Sequence, residues 1–227
     1  MNKHLLRAAA TLLAGTLLAA ESTPKDDVIA AAKKLAEKPN YSWRTTVAVP
    51  ENAQFRPGPT EGQTEKDGFT RLTMSFGERK VQAVLKGDKA AMTGRDEAWQ
   101  SLADLDNSEG PGRFMGRFLR NFKAPVAQAT DLAKGTKDLK LSEGGVCVGD
   151  LTEEAAKAEF RFGNVNNPKG SVKFWLKDGV LAKYEFKTQG KVEFNGNEMD
   201  VDRTTTVEIK DVGTTKVELP DDAKKKL

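Results

Sequence analysis

From Tyr41 the chain alternates with a period of two: Tyr41, Trp43, Thr45, Val47 and Val49 fall between Ser42, Arg44, Thr46 and Ala48. Successive strand side chains point to opposite faces, so this pattern predicts a strand with one buried and one wet face. The signature returns at Phe69–Phe76, where Leu72, Met74 and Phe76 share a face, at Arg79–Lys86, and briefly at Ala90–Thr93. It is strongest from Ser171, where Val172, Phe174 and Leu176 alternate with Lys173, Trp175 and Lys177. Val180, Ala182, Tyr184 and Phe186 then oppose Lys183, Glu185 and Lys187. Val192 and Phe194 follow, then Met199, Val201, Thr205, Val207 and Ile209, and Val217 with Leu219 reads as a closing strand. Gly77, Gly87-Asp88, Asp178-Gly179 and Asn195-Gly196 mark hairpin turns, the last two of type I′.

Elsewhere the period is helical. Thr23 is an N-cap, Pro24 suits the first helical position, and Val28, Ala31, Ala32 and Leu35 form a stripe that ends before Pro39. Residues 50–63, with Pro50, Pro57 and Pro59, read as an exposed loop. Residues 96–162 are the non-β portion, turning helical at Trp99, with short strands near Leu139 and Cys147 and a helix from Thr152 to about Phe160. A long meander must curl, because strands twist and a flat sheet would leave its apolar face uncovered. The expected architecture is therefore α+β: a curled antiparallel sheet, an incomplete β-barrel, whose concave face is covered by helices from residues 96–134.

Composition narrows the chemistry. The 227 residues include one histidine, His4, and one cysteine, Cys147. Residues 1–20 read as a signal peptide, with Lys3 and Arg7 ahead of the uncharged stretch Ala8–Ala20, which is too short for an ordinary spanning helix. Leu17-Leu18-Ala19-Ala20 resembles the run before a bacterial lipidation cysteine, but Glu21 stands in the cysteine's place. Residues 21–227 then form one domain, periplasmic or secreted. Without Lys3 and Arg7 the 36 basic residues become 34 against 33 acidic, a net charge of +1, which gives no footprint for nucleic acid. A mature chain without histidine excludes Ser-His-Asp and Cys-His catalysis and imidazole zinc sites. Gly145-Val146-Cys147-Val148-Gly149 reads as a short buried strand with a structural thiol.

No GxSxG, Walker A or GxGxxG motif is present. Asp104 to Glu109 lacks the glycine and final glutamate of a calcium loop. Asn40-Tyr41-Ser42 is a glycosylation sequon, relevant only in a eukaryotic secretory setting. The sharpest local signal is Gly112–Lys123. Phe114, Met115, Phe118, Leu119 and Phe122 share one side of a helix, and Arg113, Arg117 and Arg120 line the other. Three readings stay open: a core helix with solvated arginines, a lid whose aromatic face lines an apolar cavity, and a basic amphipathic helix resting on an anionic membrane.

The layout resembles the periplasmic lipoprotein-carrier (LolA/LppX-like) superfamily. The resemblance is carried by the opening helix before Tyr41-Ser42-Trp43, by Trp175 four residues before the Gly179 turn, and by Thr204–Pro220 with Asp211-Val212-Gly213 and Val217-Glu218-Leu219-Pro220. It implies a half β-barrel with helices plugging a hydrophobic cavity that binds acyl chains. The function expected is that of a carrier or binding protein in the cell envelope, not an enzyme and without cofactors, whose partners are a lipid or lipidated protein and, transiently, a membrane. The alternative is a non-enzymatic scaffold or sensor domain with a filled core. Trp43, Met74, Phe76, Phe114, Phe118 and Phe174 are the expected ligand-binding residues, with Trp99 near the helical cover.

Overall fold

The structure, a computed structural model, describes residues 22–53, 56–160, 164–194 and 197–227. The signal-peptide reading and the Asn195-Gly196 turn lie outside the described residues.

The first helix, α1 (Pro24–Ala36), forms as its sequence requires. Thr23 and Asp26 make a reciprocal capping box, Pro24 sits where no N–H is needed, and Val28, Ala31, Ala32 and Leu35 are all buried. The strands are β1 (Asn40–Ala48), β2 (Thr60–Glu65), β3 (Thr70–Phe76), β4 (Arg79–Lys86), β5 (Lys89–Thr93) and β6 (Trp99–Ser101). Helices α2 (Leu102–Asp106), α3 (Pro111–Arg120) and α4 (Pro125–Lys134) follow. Then come β7 (Thr136–Leu141), β8 (Val146–Leu151), α5 (Glu153–Ala158), β9 (Asn164–Lys177), β10 (Val180–Phe194), β11 (Asn197–Lys210) and α6 (Asp221–Lys224).

Among the described residues the eleven strands join one antiparallel sheet in the order β6-β5-β4-β3-β2-β1-β11-β10-β9-β8-β7. β1 pairs with β11, so the two halves of the meander meet at the middle of the sheet. The sheet ends at β6 and β7 and does not close, as the α+β incomplete-barrel reading required. Register assigns the faces. Trp43 lies opposite Gly62 and Ile209, Gly62 opposite Leu72, and Leu72 opposite Ala83, so all of these share the concave side. Tyr184, Phe186 and Phe174 belong to the same side through Val207 and Thr205. The Asp178-Gly179 turn has positive φ at both central residues, 54° and 70°, as type I′ demands.

Several expectations need correction. Residues 60–63 are not loop but part of β2, a polar strand with no apolar alternation to announce it. Its key residue is Gly62, where a Cβ would stand 2.1 Å from two ring carbons of Trp43. The indole occupies the room a side chain would take, and the missing side chain removes the period-two signal. β9 begins at Asn164 rather than Ser171, because a register shift between Gln189 and Lys191 carries pairing past Pro168. A second shift between Leu181 and Lys183 buries Leu181 and leaves Ala182 only half-buried.

Val217 and Leu219 form no strand. The segment after β11 is a strap. The Gly213 N–H donates to the Asn40 carbonyl at 2.8 Å, and the Ser42 hydroxyl donates to the Asp211 carboxylate at 2.6 Å. Farther along, the Arg71 guanidinium donates to the Glu218 carbonyl at 3.0 Å and Lys226 pairs with Asp104 at 3.1 Å. Ser42 and Arg71 face outward by register, so the strap crosses the convex side. There Val84, which pairs with Arg71, and Ala91 are fully buried, as is Ala223 of α6.

The Trp43–Gly62 contact yields a direct test. Gly62→Ala is expected to lower stability by roughly 1–3 kcal/mol, the usual cost of overpacking a filled core, and to alter tryptophan fluorescence. An unchanged urea midpoint would contradict this packing.

Candidate functional site

The concave face is covered unequally. Over β7 to β10 the cover is α1 with α4 across it, and the interior beneath is solid. Phe174 and Tyr184 are at 0% exposure, with ring centroids 6.3 Å apart, and Tyr184 stacks on Phe186 at 6.4 Å and 15°. The Tyr184 hydroxyl donates to the Gln128 side-chain carbonyl at 2.8 Å, and the Gln128 amide donates to Glu159 at 3.0 Å, so this buried phenol is satisfied from α4. Cys147, on β8 opposite Phe174, is buried, as expected of a structural thiol. Burial pushes its pKa up, and Asp27 adds to the shift.

Over β1 to β5 the cover is α2, which packs on β5 and β6, with α3 resting on it, and the short link to α4. Phe122, just past α3, stacks on Trp43 at 6.1 Å and 20°, and Phe118 meets Phe122 at 6.3 Å. Close packing of α3 on α2 fixes this helix: Gly116 is buried, and a Cβ there would lie 3.2 Å from Leu105. Below the aromatic stack is a small polar knot. The Trp43 indole N–H donates to Thr64 Oγ1 at 3.4 Å, and Thr64 and Thr70 share a hydrogen bond at 3.2 Å. Tyr41 is bonded to Thr64 and to the Val126 backbone.

Toward the open end of the same face the cover thins. Thr45 and Val47 on β1 are only half-buried, whereas Tyr41 and Trp43 on the same face are at 4%. Phe76, at the end of β3, is 44% exposed, and Phe114, at the start of α3, is 48% exposed. On the far strands the gap is limited by a second stopper, in which Arg203 lies over the Phe160 ring at 5.7 Å and donates to Thr188 and to the Glu159 carbonyl.

The structure divides the expected residues into four groups. Trp43 and Met74 are floor beneath the α3 side, at 4% exposure each, whereas Phe174, at 0%, is core of the other half under α1 and α4 and does not join them. Phe118, Phe114 and Phe76 run from the half-buried cover to the exposed rim. Trp99 stands apart. It lies on edge strand β6 opposite Thr93, which register puts on the convex side, so the helical pattern starts at Leu102 and not at Trp99. Sequence reasoning left out Phe122 and Tyr41 as site residues, although Phe122 was legible on the apolar side of the helix and Tyr41 in the strand alternation. Thr64 had no readable signal, since only the register of β2 brings it beneath the indole.

Two clefts of about 510 and 370 Å³ are present, the smaller reaching Trp43 and Gly62 from among outward-facing residues of β1 to β3. The larger is walled by Lys137, Asp150, Lys169, Ser171 and Lys187, the smaller by Ser42, Arg44, Glu61, Arg71 and Asp211. Both are polar and carry charges of both signs, unlike the dry, mostly apolar surroundings a hydrocarbon chain needs. Among the described residues no cluster of histidine, cysteine or carboxylates could hold a metal, and no helix is long and apolar enough to cross a membrane.

No protein-family model matches the chain, and no curated protein matches it in sequence. It is similar to solved structures at low identity. These include LprF from Mycobacterium bovis, at 8% identity over 88% of this chain and 96% of that one, with a TM-score of 0.47. The Mycobacterium tuberculosis lipoprotein LppX is 10% identical over 85% and 98%, with a TM-score of 0.43. An outer membrane lipoprotein-sorting protein domain from Vibrio parahaemolyticus is 12% identical over 88% and 96%, with a TM-score of 0.36. The likeness is one of fold.

The polar knot has a titration signature. Burial pushes the Tyr41 phenol up to about 12 against the pull of its hydrogen bonds. With the folded pKa raised, its contribution is intact below about pH 10, where free tyrosine begins to ionise, and is lost as pH rises toward 12. Stability is therefore expected to fall by up to roughly 2–3 kcal/mol across that window. Denaturant titrations at about pH 9 and about pH 12 should show a smaller drop for Tyr41→Phe than for the native chain; equal drops would refute the assignment.

Proposed function

We propose that the chain is an exported, non-enzymatic binding protein that holds a hydrophobic ligand, a lipid or the acyl chains of a lipidated protein, at the open end of its concave face. The observation that carries this reading is the mismatch between the apolar face and its cover: the rows that begin as buried core at Tyr41, Trp43 and Met74 continue outward as half-buried Thr45 and Val47 and exposed Phe76. Phe114 on α3 is the exposed group of the cover. Phe118 and Phe122 form the inner lip, and Trp43 and Met74 form the floor, while Phe174 belongs to the solid half under α1 and α4. Moving α3 outward would lengthen the apolar trough while α1 stays on the other half of the sheet and α4 stays held by α1 and by the Tyr41–Val126 hydrogen bond.

A second reading, an envelope scaffold or sensor domain with a filled core, draws on the same interior. Phe122 already stacks on Trp43, and Tyr184 packs at a tilt on Phe174 in the other half, so the interior is solid as it stands.

Native mass spectrometry of protein gently extracted from the producing cells separates the two. The carrier reading expects a co-purified lipid mass, lost in Phe118→Asp and reduced at least tenfold in Phe114→Asp, since a buried phenylalanine contact is worth about 1.5–3 kcal/mol. Phe114 is exposed, so its variant keeps its fold and isolates binding from stability. Bare protein, with no uptake of a fluorescent fatty acid by native chain or variants, would establish the filled core instead.

A further inference from the structure

The arginine face of α3 is not used by the binding reading. Between Pro111 and Lys123 the chain carries Arg113, Arg117, Arg120 and Lys123 and no acidic residue. In α3 the buried side is Gly116 and Leu119, with Met115 and Phe118 half-buried beside them, and Arg113, Arg117 and Arg120 are exposed. Among the described residues Arg120 pairs with Asp106, and Lys123 pairs with Asp131 at 2.6 Å, which leaves Arg113 and Arg117 as the charges presented at the start of the helix. Phe114 lies between them in sequence, and at about 100° per residue it sits on the border between the arginine side and the buried side. It is 48% exposed although it is one of the largest apolar groups of the helix.

We infer that α3 is a docking surface for an anionic lipid bilayer. Arg113 and Arg117 would meet headgroup phosphates through guanidinium forks, and Phe114 would enter the interfacial layer beside them. The occupant is a bilayer rather than an acidic protein because the charges flank an exposed aromatic ring on one short helix. The rest of the apolar side, Met115, Phe118 and Leu119, is packed on the core, so the contact is made by the two arginines and the one ring that the helix presents beside them. Helices at a membrane interface combine buried apolar area with attraction to anionic lipid, and each contribution can be removed separately. The inference stands without any bound ligand, although it would place the rim at Phe114 and Phe118 against the source of an acyl chain.

Flotation with vesicles tests it. The full chain should float with vesicles of phosphatidylglycerol and phosphatidylcholine in equal parts, should not float with pure phosphatidylcholine, and should be released by raised salt. Each arginine near an anionic surface contributes about fivefold in affinity, so Arg113→Ser with Arg117→Ser should weaken binding roughly 25-fold. Replacing exposed Lys169 and Lys216 by serine, the same loss of charge placed elsewhere, should change binding far less. Phe114→Ser should weaken binding and lower the salt-resistant fraction. Failure to float with anionic vesicles would overturn the inference and leave the arginines to an acidic protein. Equal losses in the arginine and lysine pairs would overturn it as well, reducing the effect to overall charge. Neither result depends on whether a lipid co-purifies.

Discussion

The structure depends on covering the concave face of a sheet that does not close on itself. Among the described residues eleven antiparallel strands present a largely apolar concave surface, interrupted at β2, and the sheet ends at β6 and β7 rather than pairing with itself. Burying a large aliphatic or aromatic side chain is worth about 1.5–3 kcal/mol, so leaving that surface to water would remove much of the driving force for folding. Every helix that packs on the concave side exists to prevent this.

The two halves solve the problem differently. On the β7–β10 side, α1 and α4 cross each other over Phe174, Tyr184 and Phe186, and a hydrogen bond from Tyr184 to Gln128 closes the last polar gap. On the β1–β5 side, α2 packs on β5 and β6, and α3 rests on α2 through Gly116 while the link after it meets Trp43 through Phe122. The first arrangement anchors the fold. The second leaves a graded edge, from buried Trp43 through half-buried Phe118 to exposed Phe114, and a graded edge is where an apolar guest or a membrane can compete with solvent.

Electrostatics plays little part in holding this together. The ion pairs are at the surface, where each is worth about 0–1 kcal/mol. The polar interactions that matter are few and directional: the Thr23–Asp26 cap, the Thr64 knot, and the Ser42–Asp211 and Arg71–Glu218 contacts that lay the strap across the outer face.

Local rules settled much of this protein from the sequence alone. The capping box and apolar stripe of α1, the Asp178-Gly179 turn, the alternation in β1, β3, β4, β10 and β11, and the arginine and phenylalanine sides of α3 are properties of neighbouring residues, and short-range physics is sufficient for them. Curling followed too, since a long meander has no other way to hide one face. Tertiary structure decided what depended on partners distant in sequence. Gly62 makes β2 a strand because Trp43 needs its surface, and nothing in residues 60–65 encodes that need. Trp99 faces outward because β6 pairs with β5, and Val217–Leu219 joins a strap because Arg71 and Asn40 offer partners that a further strand would forgo. The same division applies to the site. Aromatic residue types could be chosen by alternation and helical spacing, but which became floor, lip or rim was set by how far α3 reaches across the sheet.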